Sequence, residues 1–161
     1  MECMQRAIDF MEDNLCDKLS MEAIAGQAYM SSFHFQRLFS VVCGVSVSEY
    51  MRNRRLALAG GEIVRSDARI IDIALKYGYE SPESFSRAFA RFHGISPMAA
   101  RSRRGGLRAF PHISVKSMIG GGQMMQNLKE RGYTVKENGP IYCTRDMGVI
   151  RFFELEEYHE K

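Results

Sequence analysis

Two stretches of this chain carry one pattern of apolar, capping and turn residues, so the unit that one folds into the other must fold into as well. Ile24-Ala25 recurs as Ile73-Ala74, and Ala28 falls opposite Tyr77. After a turn one residue longer in the second copy, Ser31 answers Ser81, Phe35 answers Phe85, Arg37 answers Arg87 and Phe39 answers Phe89. Gly44-Val45-Ser46 ends the first copy as Gly94-Ile95-Ser96 ends the second. A period of about fifty residues marks a duplicated supersecondary unit, and two copies are too few for a solenoid.

Within each copy the periodicity predicts helix, tight turn, helix. Ser20 is placed to cap a helix running through Ile24-Ala25 to about Gln27, and Ala28-Tyr29-Met30 is the turn. Ser31 caps the next helix, which turns Phe35, Leu38, Phe39 and Val42 inward and stops at Gly44. In the second copy a short helix from Ala68 to Lys76 offers Ile70, Ile71, Ile73 and Ala74 as apolar surface. Tyr77-Gly78-Tyr79-Glu80 is its turn and Ser81 its second cap. Pro82 sits at the first helical position, where its missing N–H costs nothing. Phe85, Ala88, Phe89 and Phe92 face inward as far as Gly94.

Met4, Ala7, Ile8, Met11 and Leu15 predict an amphipathic helix over 3–15, and Ser48 to about Arg65 a helix joining the copies. Gly60-Gly61 inside that joining helix costs about 2 kcal/mol against two alanines and marks it as a weak point or a bend. Past Arg104-Gly105-Gly106 the character changes. Ile113-Ser114-Val115-Lys116 alternates like a strand, Gly120-Gly121-Gly122 is a break, and Met124 to Arg131 suits a short helix. Tyr133-Thr134-Val135 and Ile141-Tyr142-Cys143-Thr144 suit strands, and Ile150 to Tyr158 a helix. The expected organisation is a double helix-turn-helix domain over 1–106, a linker over 107–122, and a partial or degenerate sensor-like segment over 123–161. Its fold class is mainly α: two homeodomain-like helix-turn-helix subdomains joined by a long helix, then a small α/β tail.

Charge is distributed unevenly. Residues 1–36 carry 2 basic and 6 acidic side chains, residues 37–108 carry 13 and 6, and residues 109–161 carry 7 of each. The basic middle spans both copies and is almost all arginine, whose planar fork of donors suits phosphates and guanine edges. Cys3, Cys16, Cys43 and Cys143 are scattered without a Cys-x-x-Cys pair, which suits reduced thiols. With no apolar run of about 20 residues and no basic-then-apolar start, a cytoplasmic, nucleoid-associated protein is expected.

The chemistry of the pair lies on the outward face of each second helix, over about 32–42 and 82–92. Phe33, Gln36, Arg37 and Ser40 are spaced three, one and three, and Glu83, Ser86, Arg87 and Ala90 repeat that spacing, with His34 and Ser84 at the edges. In a major groove Phe33 can press on a thymine methyl, Gln36 can pair with adenine, Arg37 and Arg87 with guanine, and Glu83 with a cytosine amino group. Recognition helices one DNA turn apart, about 34 Å, enter successive major grooves. Two copies in one chain allow this without dimerisation, and unlike faces predict an asymmetric site. Ser31, Ser81, Arg52, Arg54, Arg55, Arg101, Arg103 and Arg104 flank the copies as phosphate contacts.

The block Leu19–Phe39 and the run Tyr50-Met51-Arg52-Asn53-Arg54-Arg55-Leu56 resemble the AraC/XylS family of bacterial transcription regulators. So, more closely, do Ile73-Ala74, Gly78-Tyr79, Ser84-Phe85, Arg87-Ala88-Phe89, Phe92, Gly94 and Ser96-Pro97. The resemblance covers residues 1 to about 105. It implies a seven-helix DNA-binding domain, with DNA contacts from Phe33, Gln36 and Arg37 in the first recognition helix and Glu83, Ser84, Ser86 and Arg87 in the second. It further implies RNA polymerase as a partner, and a small-molecule effector acting through a C-terminal sensor. Gly60-Gly61 and Pro82 depart from the family pattern.

The rival reading is a small-molecule-binding or enzymatic protein fused to a DNA-binding scaffold. Gly139-Pro140-Ile141-Tyr142 through Phe152-Phe153-Glu154 is faintly similar to the opening of a glyoxalase-like module. Glu156 and His159 could share one helix face toward a metal, but no further ligands accompany them. Cys143 has no base at a suggestive spacing, and His93, at a helix end, is placed to cap carbonyls rather than to bind metal. No catalytic residue, metal or cofactor is therefore expected, and the chain is read as a non-enzyme.

Overall fold

The computed structural model describes residues 2–115, 117 and 126, and the backbone of 133–135, 141–143 and 149–150. Seven α-helices run in order among them: α1 Glu2–Asp13, α2 Met21–Gln27, α3 Ser32–Cys43, α4 Val47–Arg65, α5 Ile70–Lys76, α6 Pro82–His93 and α7 Pro97–Arg103. Helices α2–α3 and α5–α6 are the two helix-turn-helix copies, with α4 between them in the chain. The chain divides into two compact units, one of Met1–Ile8, Ala25–Ser46 and Ile113–Lys161, the other of Asp9–Ile24 and Val47–His112.

The first unit holds α3. Phe35, Leu38, Phe39 and Val42 are buried as the periodicity requires, and Met4, Ala7, Ile8, Ala25, Ala28 and Val115 are buried with them. Ser31 Oγ accepts from the N–H of His34, and Gly44 ends α3 at φ 76°, a left-handed position that glycine enters without a Cβ clash. The strand expected over Ile113–Lys116 does not form among the described residues: Ile113 and Ser114 lie in no regular element and Val115 is helical. A side chain replaces the ladder there, since Gln5 Nε2 donates to Ile113 O at 3.3 Å and Gln5 Oε1 accepts from Val115 N at 2.8 Å.

Three short strands follow, β1 Tyr133–Val135, β2 Ile141–Cys143 and β3 Val149–Ile150, antiparallel in that order with Tyr133 opposite Cys143 and Ile141 opposite Ile150. Ile150 therefore sits in a strand, where a helix start was expected. Of the helix expected over Met124–Arg131 only Gln126 is described, and it is helical. The Gly120–Gly122 break and residues 151–158 lie outside the described residues.

The second unit is built on α4, against which α5, α6 and α7 pack. Its core joins Leu56, Ala59 and Ile63 of α4 to Ile73, Ala74, Phe85, Phe89, Phe92 and Ala100. Burying each large apolar side chain contributes roughly 1.5–3 kcal/mol, so Phe85 and Phe89 alone anchor α6 firmly. Ile71, expected on the apolar surface of α5, is 41% exposed, two positions before the buried Ile73 and off the stripe it forms with Ala74. Leu107 and Phe110 also pack against this core, so the segment after α7 continues the domain rather than leaving it at once.

The Gly60-Gly61 pair does not interrupt α4, which runs through it for 19 residues. Packing explains Gly60. A Cβ there would stand 2.8 Å from His93 Nε2 and 3.1 Å from Leu107 Cδ1, so only glycine lets His93 lie against α4. His93 in turn does not cap its own helix. Its Nδ1 accepts from the Arg108 N–H at 3.1 Å, which leaves the proton on Nε2 to donate to Leu56 O at 3.0 Å. This buried, neutral imidazole ties α4 to the segment after α7.

Candidate nucleic-acid interface

Each outward face is set by the inward one. With Phe35, Leu38 and Phe39 buried, helical geometry turns Phe33, His34 and Gln36 away, and all three are exposed; Arg37 is half-buried at the edge. Phe33 is 69% exposed, and its ring meets His34 edge-on at 6.1 Å. His34 Nδ1 lies 3.3 Å from Ser31 Oγ, and Gln36 Nε2 donates to Ser32 O at 3.3 Å. The first stripe is thus aromatic and amide, with its imidazole leaning on the helix cap.

The second stripe differs. Glu83 and Arg87 are exposed, and Ser84 and Ser86 half-buried. Arg87 has no hydrogen-bond or ion-pair partner among the described residues. Ser81 Oγ accepts from Ser84 N at 3.2 Å while Ser84 Oγ donates to Ser81 O at 2.8 Å. The Ser84 proton is therefore spent on the cap, and its oxygen retains only accepting capacity. Glu83 stands in the first turn of α6, where a carboxylate also favours the helix dipole.

The arginines predicted to meet phosphates divide into two groups. Arg54 donates from Nε and Nη2 to both oxygens of Glu12, at 2.6–3.0 Å, and from Nη1 to Phe110 O. Tyr50 donates to the same carboxylate at 2.6 Å. Burial would raise the Glu12 carboxyl, but the bonds from Arg54 and Tyr50 outweigh it and hold it below its ordinary value. Arg55 donates to Leu15 O and Asp17 O, and Arg101 to Ile63 O and Ala68 O at the end of α4. These three arginines spend donors on the fold itself. Spacing could not reveal it, because their acceptors are 33 to 56 residues away. Arg52, Arg103 and Arg104 are exposed as expected.

One pair escaped the sequence reading. Arg6 of α1 donates from Nε to Gln27 O at 2.7 Å, and its guanidinium lies over the Tyr29 ring at 4.5 Å. The signal that could have found it is the turn alignment, which sets Tyr29 opposite Gly78.

Among the described residues no group of three or more His, Cys, Asp or Glu could hold a metal ion. Cys43 is buried, and burial pushes its thiol up to about 12, so it is held as an unreactive thiol. Glu156 and His159 lie outside the described residues. No described helix is long and apolar enough to cross a membrane.

Comparison with known proteins agrees with this geometry. A family model described as a helix-turn-helix domain matches residues 24–103. The regulatory protein SoxS of Salmonella typhimurium is 32% identical over 63% of this chain and 95% of its own length. The chain belongs to the AraC/XylS family of transcriptional regulators. Another relative, the uncharacterized HTH-type transcriptional regulator YbfP of Bacillus subtilis, is 41% identical over 63% of this chain. The chain spans only about a third of YbfP, 34% of its length. Among solved structures, the DNA-binding domain of AdpA in complex with a target DNA superposes with a TM-score of 0.58 at 26% identity, over 62% of this chain and 90% of that one.

Proposed function

We propose that this chain regulates transcription by binding double-stranded DNA sequence-specifically, placing α3 and α6 in successive major grooves of an asymmetric site. The observation that carries this reading is the pairing of two similarly capped and buried helices with two different exposed faces, Phe33-His34-Gln36-Arg37 and Glu83-Ser84-Ser86-Arg87. Likeness to AdpA, solved on its target DNA, supports it. Arg52, Arg103 and Arg104 are the flanking phosphate contacts, together with the cap residues Ser31 and Ser81. On the same reading the partners are DNA and RNA polymerase in the cytoplasm. An effector would act through residues 123–161.

The test is selection of bound duplexes from a random pool at low salt. An enriched asymmetric motif, bound by one chain, is expected. A symmetric motif would overturn two-groove binding by a monomer, and the absence of any motif would overturn the function.

A further inference from the structure

The two turns share a pair of backbone hydrogen bonds and place a different residue at the left-handed position. Tyr29 N–H donates to Gly26 O and Met30 N–H to Ala25 O; Gly78 N–H donates to Leu75 O and Tyr79 N–H to Ala74 O. The residue opposite Gly78 is therefore Tyr29. Gly78 has φ 81° and Tyr29 φ 54°. A side chain in the left-handed region is strained where glycine is not, and such strain persists only where the surroundings impose it. Tyr29 is also 71% exposed, so core packing does not account for it.

What the strained residue presents is a guanidinium. Arg6 is exposed, fixed at Nε by Gln27 O and stacked on the Tyr29 ring, while its Nη1 and Nη2 have no partner among the described residues. The second copy places an arginine in the same position of the repeat. Arg55 precedes Ile73 by the interval at which Arg6 precedes Ile24, and its Nη1 lies 3.6 Å from where a Gly78 Cβ would stand. There, however, Nε and Nη2 are consumed by Leu15 O and Asp17 O, and among the described residues no ring lies under the fork.

We propose that Arg6 and Tyr29 form a phosphate clamp that grips the DNA backbone beside the first recognition helix and has no counterpart at the second. The proposal rests on the DNA-binding reading. A guanidinium already held in one orientation loses little freedom on meeting a phosphate, and offers it two charge-assisted hydrogen bonds. Tyr29 lies two residues before the Ser31 cap, so the clamp adjoins the N-terminal N–H groups of α3, which also favour an anion.

The experiment uses the full chain and a fluorescent duplex carrying its selected site, titrated across salt concentrations, with a scrambled duplex alongside. R6A is expected to weaken both duplexes by about tenfold, without changing the preference between them, and to lower the salt slope by about one. R6K, which keeps charge but loses the fork, should recover the slope but not the full affinity. Y29G should weaken binding without lowering the thermal unfolding midpoint, because it relieves the backbone while removing the ring. If the wild type binds its site and these variants bind equally well at an unchanged slope, the clamp is wrong and the DNA reading stands; a protein partner for this patch would give that result. If the wild type selects no site, both fall.

Discussion

At the residue scale, one residue type performs two tasks in this protein. Arg87 is exposed on the outward face of α6, whereas Arg54 is almost enclosed by Glu12, Tyr50 and Phe110 O. Their alanine variants should separate cleanly. Arg87→Ala is expected to leave unfolding by urea unchanged and to cost roughly 1–3 kcal/mol of discrimination between the selected site and single-base variants. Arg54→Ala is expected to lower the unfolding free energy by roughly 2–4 kcal/mol, because it strands the partly buried Glu12 carboxylate. Urea curves combined with binding to matched duplexes decide both outcomes. A loss of stability in Arg87→Ala would move that residue from the interface to the scaffold.

At the element scale, α4 holds two adjacent glycines with opposite roles. Gly60→Ala would gain about 1 kcal/mol of helix propensity, but its Cβ would drive into the imidazole that bonds Leu56 O. Overpacking of that kind costs about 1–3 kcal/mol, so a net loss is expected. At Gly61 the new methyl would meet only the far end of the Arg65 side chain, which can swing aside. Gly61→Ala should stabilise the protein by roughly 0.5–1 kcal/mol. Urea unfolding midpoints of opposite sign at neighbouring positions would confirm that tertiary packing, rather than propensity, keeps Gly60.

At the scale of the whole molecule, two responses to solution conditions follow. The first is to salt. Removing Arg52 or Arg103 should each reduce the slope of log K against log salt by about one, while Arg101→Ala should act through stability instead, because its donors hold Ile63 O and Ala68 O. Binding isotherms at several salt concentrations test this. The second is to pH. Burial holds the His93 imidazole below its ordinary value of 6.5. Above 6.5 it is neutral in both folded and unfolded chains and adds no pH dependence. As pH falls through 6.5 the unfolded chain takes up the proton first, so stability is progressively lost until the folded-state value is reached. A second loss follows at lower pH, below the ordinary Glu12 value of 4.5, as that carboxylate protonates in its ion pair. Unfolding free energies measured from pH 8 downward should show the first decline in the wild type, and its absence in His93→Gln.

Much of this molecule was written in local pattern. The helix pairs, the caps Ser20, Ser31 and Ser81, the stops Gly44 and Gly94 and the buried phenylalanines depend on neighbours within one turn of helix, so the sequence alone determined them, and with them the family and the exposed stripes. Only the tertiary structure decided which arginines are occupied, since Arg54, Arg55 and Arg101 meet carbonyls and a carboxylate far away in the chain. Gly60 read as a weakness because what it accommodates, His93, is 33 residues on. Ile113–Val115 read as a strand because alternation cannot show that its partner is one glutamine side chain. Helical periodicity is local physics and survives in one dimension. Hydrogen-bond partnership between distant groups is settled by where the folded chain brings them.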